Sequence, residues 1–237
     1  MKIMELIAAR QKDQRNNKIP TIAFLGDSVT HGVFEIYPAP NNAFDPQFDR
    51  MEVYHNKVGR ILSMLYPGVA VDIVNAGING DRAPRALLRL QHDVLDRHPD
   101  LTIVCLGLND AAESVEEYRA ALTEIFQRLI AAGSEVIFMT PNMKNTVIHN
   151  RINPDLREPA KDTMESQNSG HFDAYMDAAR AAAAECGVRV CDVYAKWKLM
   201  EKNGVDITSL LSNYINHPTR EMHWLFAYSL VETMMQP

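Results

Sequence analysis

The stretch Thr21-Ile-Ala-Phe-Leu-Gly-Asp-Ser-Val-Thr-His-Gly32 decides how this chain is read. Its apolar run ends abruptly at Gly26-Asp27-Ser28. A continuous apolar run, unlike an alternating one, predicts a strand buried on both faces. In open α/β sheets, ligands bind just beyond the carboxyl ends of such strands. Ser28 therefore falls at the mouth of a candidate site, on a turn that Gly26 permits. Taken alone, Gly-Asp-Ser after a strand is more often a plain turn or helix cap. The rest of the chain has to decide.

Composition narrows the classes first. With 237 residues, 46% apolar and 23% charged, the chain suits a soluble globular protein with a substantial core. A net charge of −6 and no dense Lys/Arg cluster argue against nucleic acid as a partner. No apolar run reaches the roughly 18–20 residues of a membrane span. Residues Met1 to Asn17 mix charges and lack a signal peptide's apolar stretch. A cytoplasmic protein without a membrane partner is the expectation. Cys105, Cys186 and Cys191 are odd in number and match no metal spacing, which predicts free thiols.

Outward from the first strand, apolar runs and helical spacings alternate. Val33 to Arg50, with Pro38, Pro40 and Pro46 among Phe34, Tyr37, Phe44 and Phe48, reads as a long irregular segment. It is either a pocket wall or a surface loop pinned by its aromatics. Helical spacing follows over Glu52–Leu65, stopped by Pro67-Gly68. Further strands are predicted at Val69–Asn75, Leu101–Leu106, Glu135–Thr140 and Val188–Cys191, and helices at Ala83–Arg97, Ser114–Ala132, His171–Glu185 and Thr219–Met235. Ser114-Val-Glu-Glu117 is a capping box, and Gly133 a C-cap. The polar stretch Met143–Gly170 reads as a lid, an oligomer arm or a disordered loop. Five strands alternating with helices imply a three-layer α/β/α sandwich on a five-stranded parallel sheet. With no linker or repeat, residues 1–237 are read as one domain.

Right-handed crossovers place all five carboxyl ends on one edge of the sheet. Ser28 follows strand one, Asn75-Ala-Gly77 ends strand two, and Gly107-Leu-Asn109 follows strand three. His217 lies in the late loop Asn213-Tyr-Ile-Asn-His-Pro218. A hydroxyl, neutral donors and an imidazole are what acyl transfer needs: a nucleophile, a base, and preorganised donors for the oxyanion. Each residue also has an ordinary role open to it. Gly77 is equally a turn glycine, Asn109 a helix cap, and His217 a structural loop residue.

Gly26-Asp27-Ser28, Gly77, Gly107-Leu-Asn-Asp110 and Asn216-His-Pro218 together resemble the ordered blocks of the SGNH (GDSL-type) hydrolases. The resemblance implies a flavodoxin-like sandwich and a serine esterase without metal or other cofactor. It implies Ser28 as nucleophile, His217 as base, and an oxyanion hole from the Ser28 and Gly77 N–H groups and the Asn109 amide. Substrates of the family are esters, often acetyl or other short acyl groups on sugars or small alcohols. A carbohydrate or small-molecule ester is therefore the expected partner, and homo-oligomers stay open.

One departure stands out. The family's aspartate, three or four residues before the histidine, is replaced by Asn213 and Tyr214. Asn213 aligns best and can accept a hydrogen bond, but it supplies no negative charge. Asp192, at the end of strand five with helix capping as its default role, and Asp206 are the other candidates to orient His217. A bare Ser-His dyad or a backbone carbonyl partner is a further option. Asp27 and His31 are candidate pocket residues, and His223 a packing residue. The alternatives to an esterase are a non-catalytic SGNH-fold binding domain and an acyltransferase using the same residues.

Overall fold

A computed structural model of the chain describes residues 1–40, 43–112 and 114–236. Its strands are β1 (Thr21–Gly26), β2 (Val33–Ala39), β3 (Ala43–Phe48), β4 (Asp72–Gly77), β5 (Leu101–Cys105), β6 (Glu135–Met139) and β7 (Arg189–Cys191). Five of them form an all-parallel sheet in the order β4-β1-β5-β6-β7. β1 lies between two neighbours, so Ile22, Ala23, Phe24 and Leu25 are fully buried, as the unbroken apolar run requires. β4 lies at an edge and exposes Asp72 and Asn75. From β1 the chain first builds outward to β4 and then crosses back to β5. The carboxyl ends of these three strands therefore meet at a topological switch point, where open α/β sheets bind ligands.

The helices are α1 (Lys2–Lys12), α2 (Ser28–His31), α3 (Tyr54–Leu65), α4 (Ala83–Asp93), α5 (Val115–Ala131), α6 (Arg157–Asn168), α7 (His171–Glu185), α8 (Val193–Lys202) and α9 (Met222–Met235). α9 packs against α1, α3 and α8, and α5 packs against α4 and α7. The serine half of the capping box forms, with Ser114 Oγ accepting from Glu117 N at 3.3 Å, while its hydroxyl donates to Glu116 Oε2 at 2.8 Å. α4 ends at Asp93 rather than Arg97, and β4 begins at Asp72 rather than Val69.

Two segments differ in kind from their sequence reading. Residues 33–48 form the antiparallel hairpin β2–β3 instead of an irregular loop; residues 41 and 42 lie outside the described part. Pro38 and Pro46 are tolerated because a two-stranded ribbon consists of edges, where a missing N–H breaks few ladder bonds. In the stretch 143–170, the polar residues from Arg157 onward form α6, which buries only Ala160 and Gln167 and so carries no apolar stripe. Pro159 is harmless in its first turn. α1 also went unread. The Glu135 carboxylate accepts from the N–H groups of Lys2 and Ile3 at 2.9 and 2.8 Å, so this helix is capped from 132 residues away.

Candidate active site

Ser28 is the first residue of α2, directly beyond β1. Asp27 caps that turn, its Oδ1 accepting from Val29 N at 3.0 Å. A side chain at Gly26 would stand 2.0 Å from Thr30 Oγ1, so only glycine lets this turn fold so close to the strand. The Ser28 hydroxyl lies 2.9 Å from Nε2 of His217, 189 residues away in sequence. The other ring nitrogen, Nδ1, lies 3.1 Å from the backbone carbonyl of Phe34 in β2. A carbonyl can only accept, so the Nδ1 proton is fixed there and Nε2 is left to accept from Ser28. Ser212 Oγ donates to the same carbonyl at 2.9 Å and helps hold it in place. Burial pushes the His217 imidazole down to about 4; the Phe34 carbonyl and Glu35 act against this, with smaller effect.

None of the three acceptors considered for the imidazole touches it. Asn213 Oδ1 accepts from the backbone N–H groups of Ile215, Asn216 and His217 at 3.0, 2.9 and 3.0 Å. Its amide donates to Asn216 Oδ1 at 2.9 Å. Asn213 thus folds the histidine loop from within, as an Asx turn does. Asp192 caps α8 through Ala195 N and pairs with Arg180. Asp206 accepts from Ser209. Of the options open in the sequence, the backbone carbonyl is the one observed at Nδ1, and the sequence did not say which residue would supply it.

Asn109 follows β5, and its amide Nδ2 donates to the Asp81 carbonyl at 3.0 Å, which leaves its second N–H available. Gly77 differs from its expected role. Its N–H already donates to Asn75 Oδ1 at 2.9 Å, and the residue ends β4 instead of opening into the site. What requires glycine there is packing, because a Cβ would stand 2.3 Å from His31 N and 2.6 Å from the Thr30 carbonyl carbon. Gly77→Ala is therefore expected to destabilise by about 1–3 kcal/mol, a fall in Tm of roughly 2–12 °C. Calorimetry checks this, and an unchanged Tm would show that α2 yields freely. Gly80, three residues on, has a left-handed φ of 75° and an N–H without an acceptor among the described residues. Its neighbour Asp81 is the residue that Asn109 holds. The second glycine of Gly77-Ile-Asn-Gly80 was a sequence signal for this position.

Arg89, read only as part of a basic helix, proves to be the tie beneath the site. It is 8% exposed. Its guanidinium donates to Asp81 Oδ2 at 2.8 and 2.6 Å, to the Ala76 carbonyl at 2.7 Å and to the Gly26 carbonyl at 3.2 Å. One side chain thereby joins the ends of β1 and β4 to the loop that Asn109 contacts. Asp27 is buried rather than pocket-lining, and burial pushes its carboxyl up to about 7. His31 braces the hairpin, with its ring edge-on to Phe48 at 4.8 Å and Nδ1 accepting from Asn79 N at 3.1 Å. His223 packs as read, accepting from Tyr54 N at 3.1 Å. Among the described residues no group of three His, Cys, Asp or Glu side chains could hold a metal ion. A cavity of about 360 Å³ opens beside the site, lined by Asn109 and Asn216. A larger one, about 570 Å³, lies around the amino ends of β6 and β7, away from this edge.

With this geometry in place, the comparisons with known proteins are specific. Residues 24–225 match the GDSL-like lipase/acylhydrolase family. The chain belongs to that family. It is similar to an acetylxylan esterase of Geobacillus stearothermophilus, 25% identical over 132 residues, which cover 51% of this chain and 58% of that protein. The chain therefore matches little more than half of this curated relative's length. Two crystal structures share the fold over most of their length. The lipase/acylhydrolase of Enterococcus faecalis has a TM-score of 0.69 at 21% identity, covering 91% of this chain and 95% of that one. Axe2, an acetylxylan esterase from Geobacillus stearothermophilus, has a TM-score of 0.66 at 19% identity, covering 92% and 95%.

Proposed function

We propose that this protein is a serine esterase that hydrolyses short-chain carboxylic esters, acetyl esters of carbohydrates foremost. The observation that carries the reading is the 2.9 Å contact between the Ser28 hydroxyl and an imidazole whose proton is held on the far nitrogen. In this reading Ser28 Oγ attacks the ester carbonyl while Nε2 of His217 takes its proton. The oxyanion is received by the N–H of Ser28, the free amide N–H of Asn109 and the backbone N–H of Gly80, which replaces Gly77 in that role. His217 then returns the proton to the leaving alcohol, and water hydrolyses the acyl-enzyme by the same route in reverse. The acetylated carbohydrate is suggested by the acetylxylan esterases that the chain resembles. Incubation with p-nitrophenyl acetate and with a fluorophosphonate probe tests the reading. Turnover and labelling at Ser28 are expected; absence of both across a broad pH range would favour a non-catalytic binding domain.

The imidazole's surroundings set two further expectations. A base must be neutral to accept the Ser28 proton, and burial holds His217 neutral down to about pH 4. Lowering the pH therefore inactivates later than for an ordinary histidine, which protonates near about 6.5. kcat/KM stays level from neutral pH to about 5 and falls only toward about 4, provided circular dichroism shows the protein still folded. An acid limb centred near 6.5 would mean that His217 is more solvated than its burial implies.

The second expectation concerns the missing carboxylate. Asn213→Asp puts the family's usual residue back, but at a side chain aimed at three loop amides. Steady-state kinetics should show less than about a tenfold change, compared with the roughly 10⁴ that a triad aspartate can command. A gain near the larger figure would place the new carboxylate on Nδ1 and overturn the assignment of Phe34.

A further inference from the structure

The cavity beside Asn109 and Asn216 contains a residue that ester hydrolysis does not require. Lys144 lies on its wall, in the segment that follows β6, and is only 4% exposed. Its ammonium sits 4.5 Å over the ring of Phe172 and makes no ion pair among the described residues. A buried ammonium is costly unless an anion or strong acceptors compensate it, and a single aromatic face compensates only part. The position is not a product of looseness. Lys144 N donates to Gln167 Oε1 at 2.9 Å, Gln167 Nε2 donates to the Tyr194 hydroxyl at 2.6 Å, and that hydroxyl donates to Asp173 Oδ1 at 2.7 Å. The backbone at Lys144 is held at the cavity wall by this chain of hydrogen bonds.

The rest of the lining agrees in sign. Arg82, already engaged by another group, adds a second cation, Asn109, Asn216 and Ser166 add neutral polar groups, and among the described residues the one carboxylate on the wall is the exposed Asp162. Ser166 Oγ is buried with no partner among the described residues. Asn216 precedes His217, and its carbonyl is fixed by Asn142 Nδ2 at 2.9 Å, so this wall is continuous with the histidine loop. A neutral acetylated sugar would leave the ammonium only the Phe172 face and the buried Asp110 carboxylate, which acts on it from beyond ion-pair distance.

We propose that this cavity is a subsite for a carboxylate carried by the ester substrate, and that Lys144 selects it. The proposal rests on the esterase reading of Ser28 and His217. The carboxylate has two chemical sources: the acyl half, as in a hemiester of a dicarboxylic acid, or the alcohol half, as in an acetylated uronic acid. Both present the same anion to Lys144 from opposite sides of the scissile bond.

Two matched pairs of substrates test it. Mono-p-nitrophenyl succinate against p-nitrophenyl butyrate reads the acyl half. An acetylated methyl glucuronoside against the acetylated methyl glucoside reads the alcohol half. In one arm the wild-type protein is expected to favour the charged ester on the order of ten- to a hundredfold in kcat/KM, mainly through KM, as a charge-assisted contact allows. Lys144→Met should bring that ratio toward one, and Lys144→Arg should keep most of it. No preference in either arm, or a preference that survives Lys144→Met in a folded protein, overturns the proposal. The wild-type ratios alone decide against it if Lys144→Met does not fold and both arms are neutral. If Lys144→Met does not fold and one arm does favour the charged ester, Lys144→Gln takes its place with the same two readings. Failure of the esterase reading looks different, because p-nitrophenyl acetate would then also go unhydrolysed.

Discussion

Ser28→Ala is expected to lower kcat/KM on p-nitrophenyl acetate by roughly 10⁴–10⁶-fold. The upper figure is what loss of a serine nucleophile costs where a complete triad activates it. The lower figure is the more apt here, because His217 leans on a carbonyl dipole in place of a carboxylate. Its conjugate acid, pushed down to about 4, also makes it a weaker base, so the intact protein has less acceleration to lose. The substitution removes one hydroxyl with one hydrogen bond, and the turn stays capped by Asp27. Circular dichroism and Tm should therefore be close to wild type, and the loss should appear in kcat at unchanged stability. Equal rates in the two proteins would sink the nucleophile assignment and with it the proposed function.

Arg89→Leu carries the largest expected effect on stability. The side chains of Arg89 and Asp81 are 9% and 4% exposed, and the pair is 2.6 Å apart. Removing the cation leaves a buried carboxylate uncompensated and takes the guanidinium donor from the Ala76 and Gly26 carbonyls, the latter keeping only the Ile78 N–H. Breaking such a pair from one side costs about 3–5 kcal/mol. Replacing both partners, Arg89→Leu with Asp81→Leu, should recover part of that cost, since no lone charge remains buried. A double-mutant cycle in urea measures the coupling. Independent, additive losses would show that Asp81 and Arg89 are solvated separately. The single substitution should also lower activity in whatever folded protein remains, because the strand ends and the loop held by Asn109 lose their common tie. A misplacement of about 1 Å in such a site can cost on the order of 10²-fold.

The parts of the fold that were legible were those written in side-chain periodicity. β1 is an unbroken apolar run from Ile22 to Leu25 and β5 one broken only by Thr102, and burial on both faces is the way to use them. The helix His171–Glu185 and the N-cap at Ser114 fall where their residues predict. The hairpin β2–β3, α1 and α6 were not legible. The first hides behind prolines, the second is capped by a distant glutamate, and the third has a nearly all-polar surface. In the site, Ser28 and Asn109 were legible because strand ends converge at one edge, and His217 as an imidazole in the late loop before the last helix. The sequence reading assigned Gly77, and residue type alone does not separate it from Gly80 three positions on. Only the backbone path shows that the first N–H is already engaged by Asn75 and the second is not.

The sequence by itself determined the parallel α/β architecture, the strand-end residues and the family, because apolar runs and polar strand ends are properties of residue type. The partner of His217 was decided by tertiary structure alone. A backbone carbonyl carries no residue identity, so nothing at Phe34 announces that a hairpin will bring it within 3.1 Å of an imidazole 183 positions later. The absent aspartate left a question in the sequence, and the path of the main chain supplies its answer.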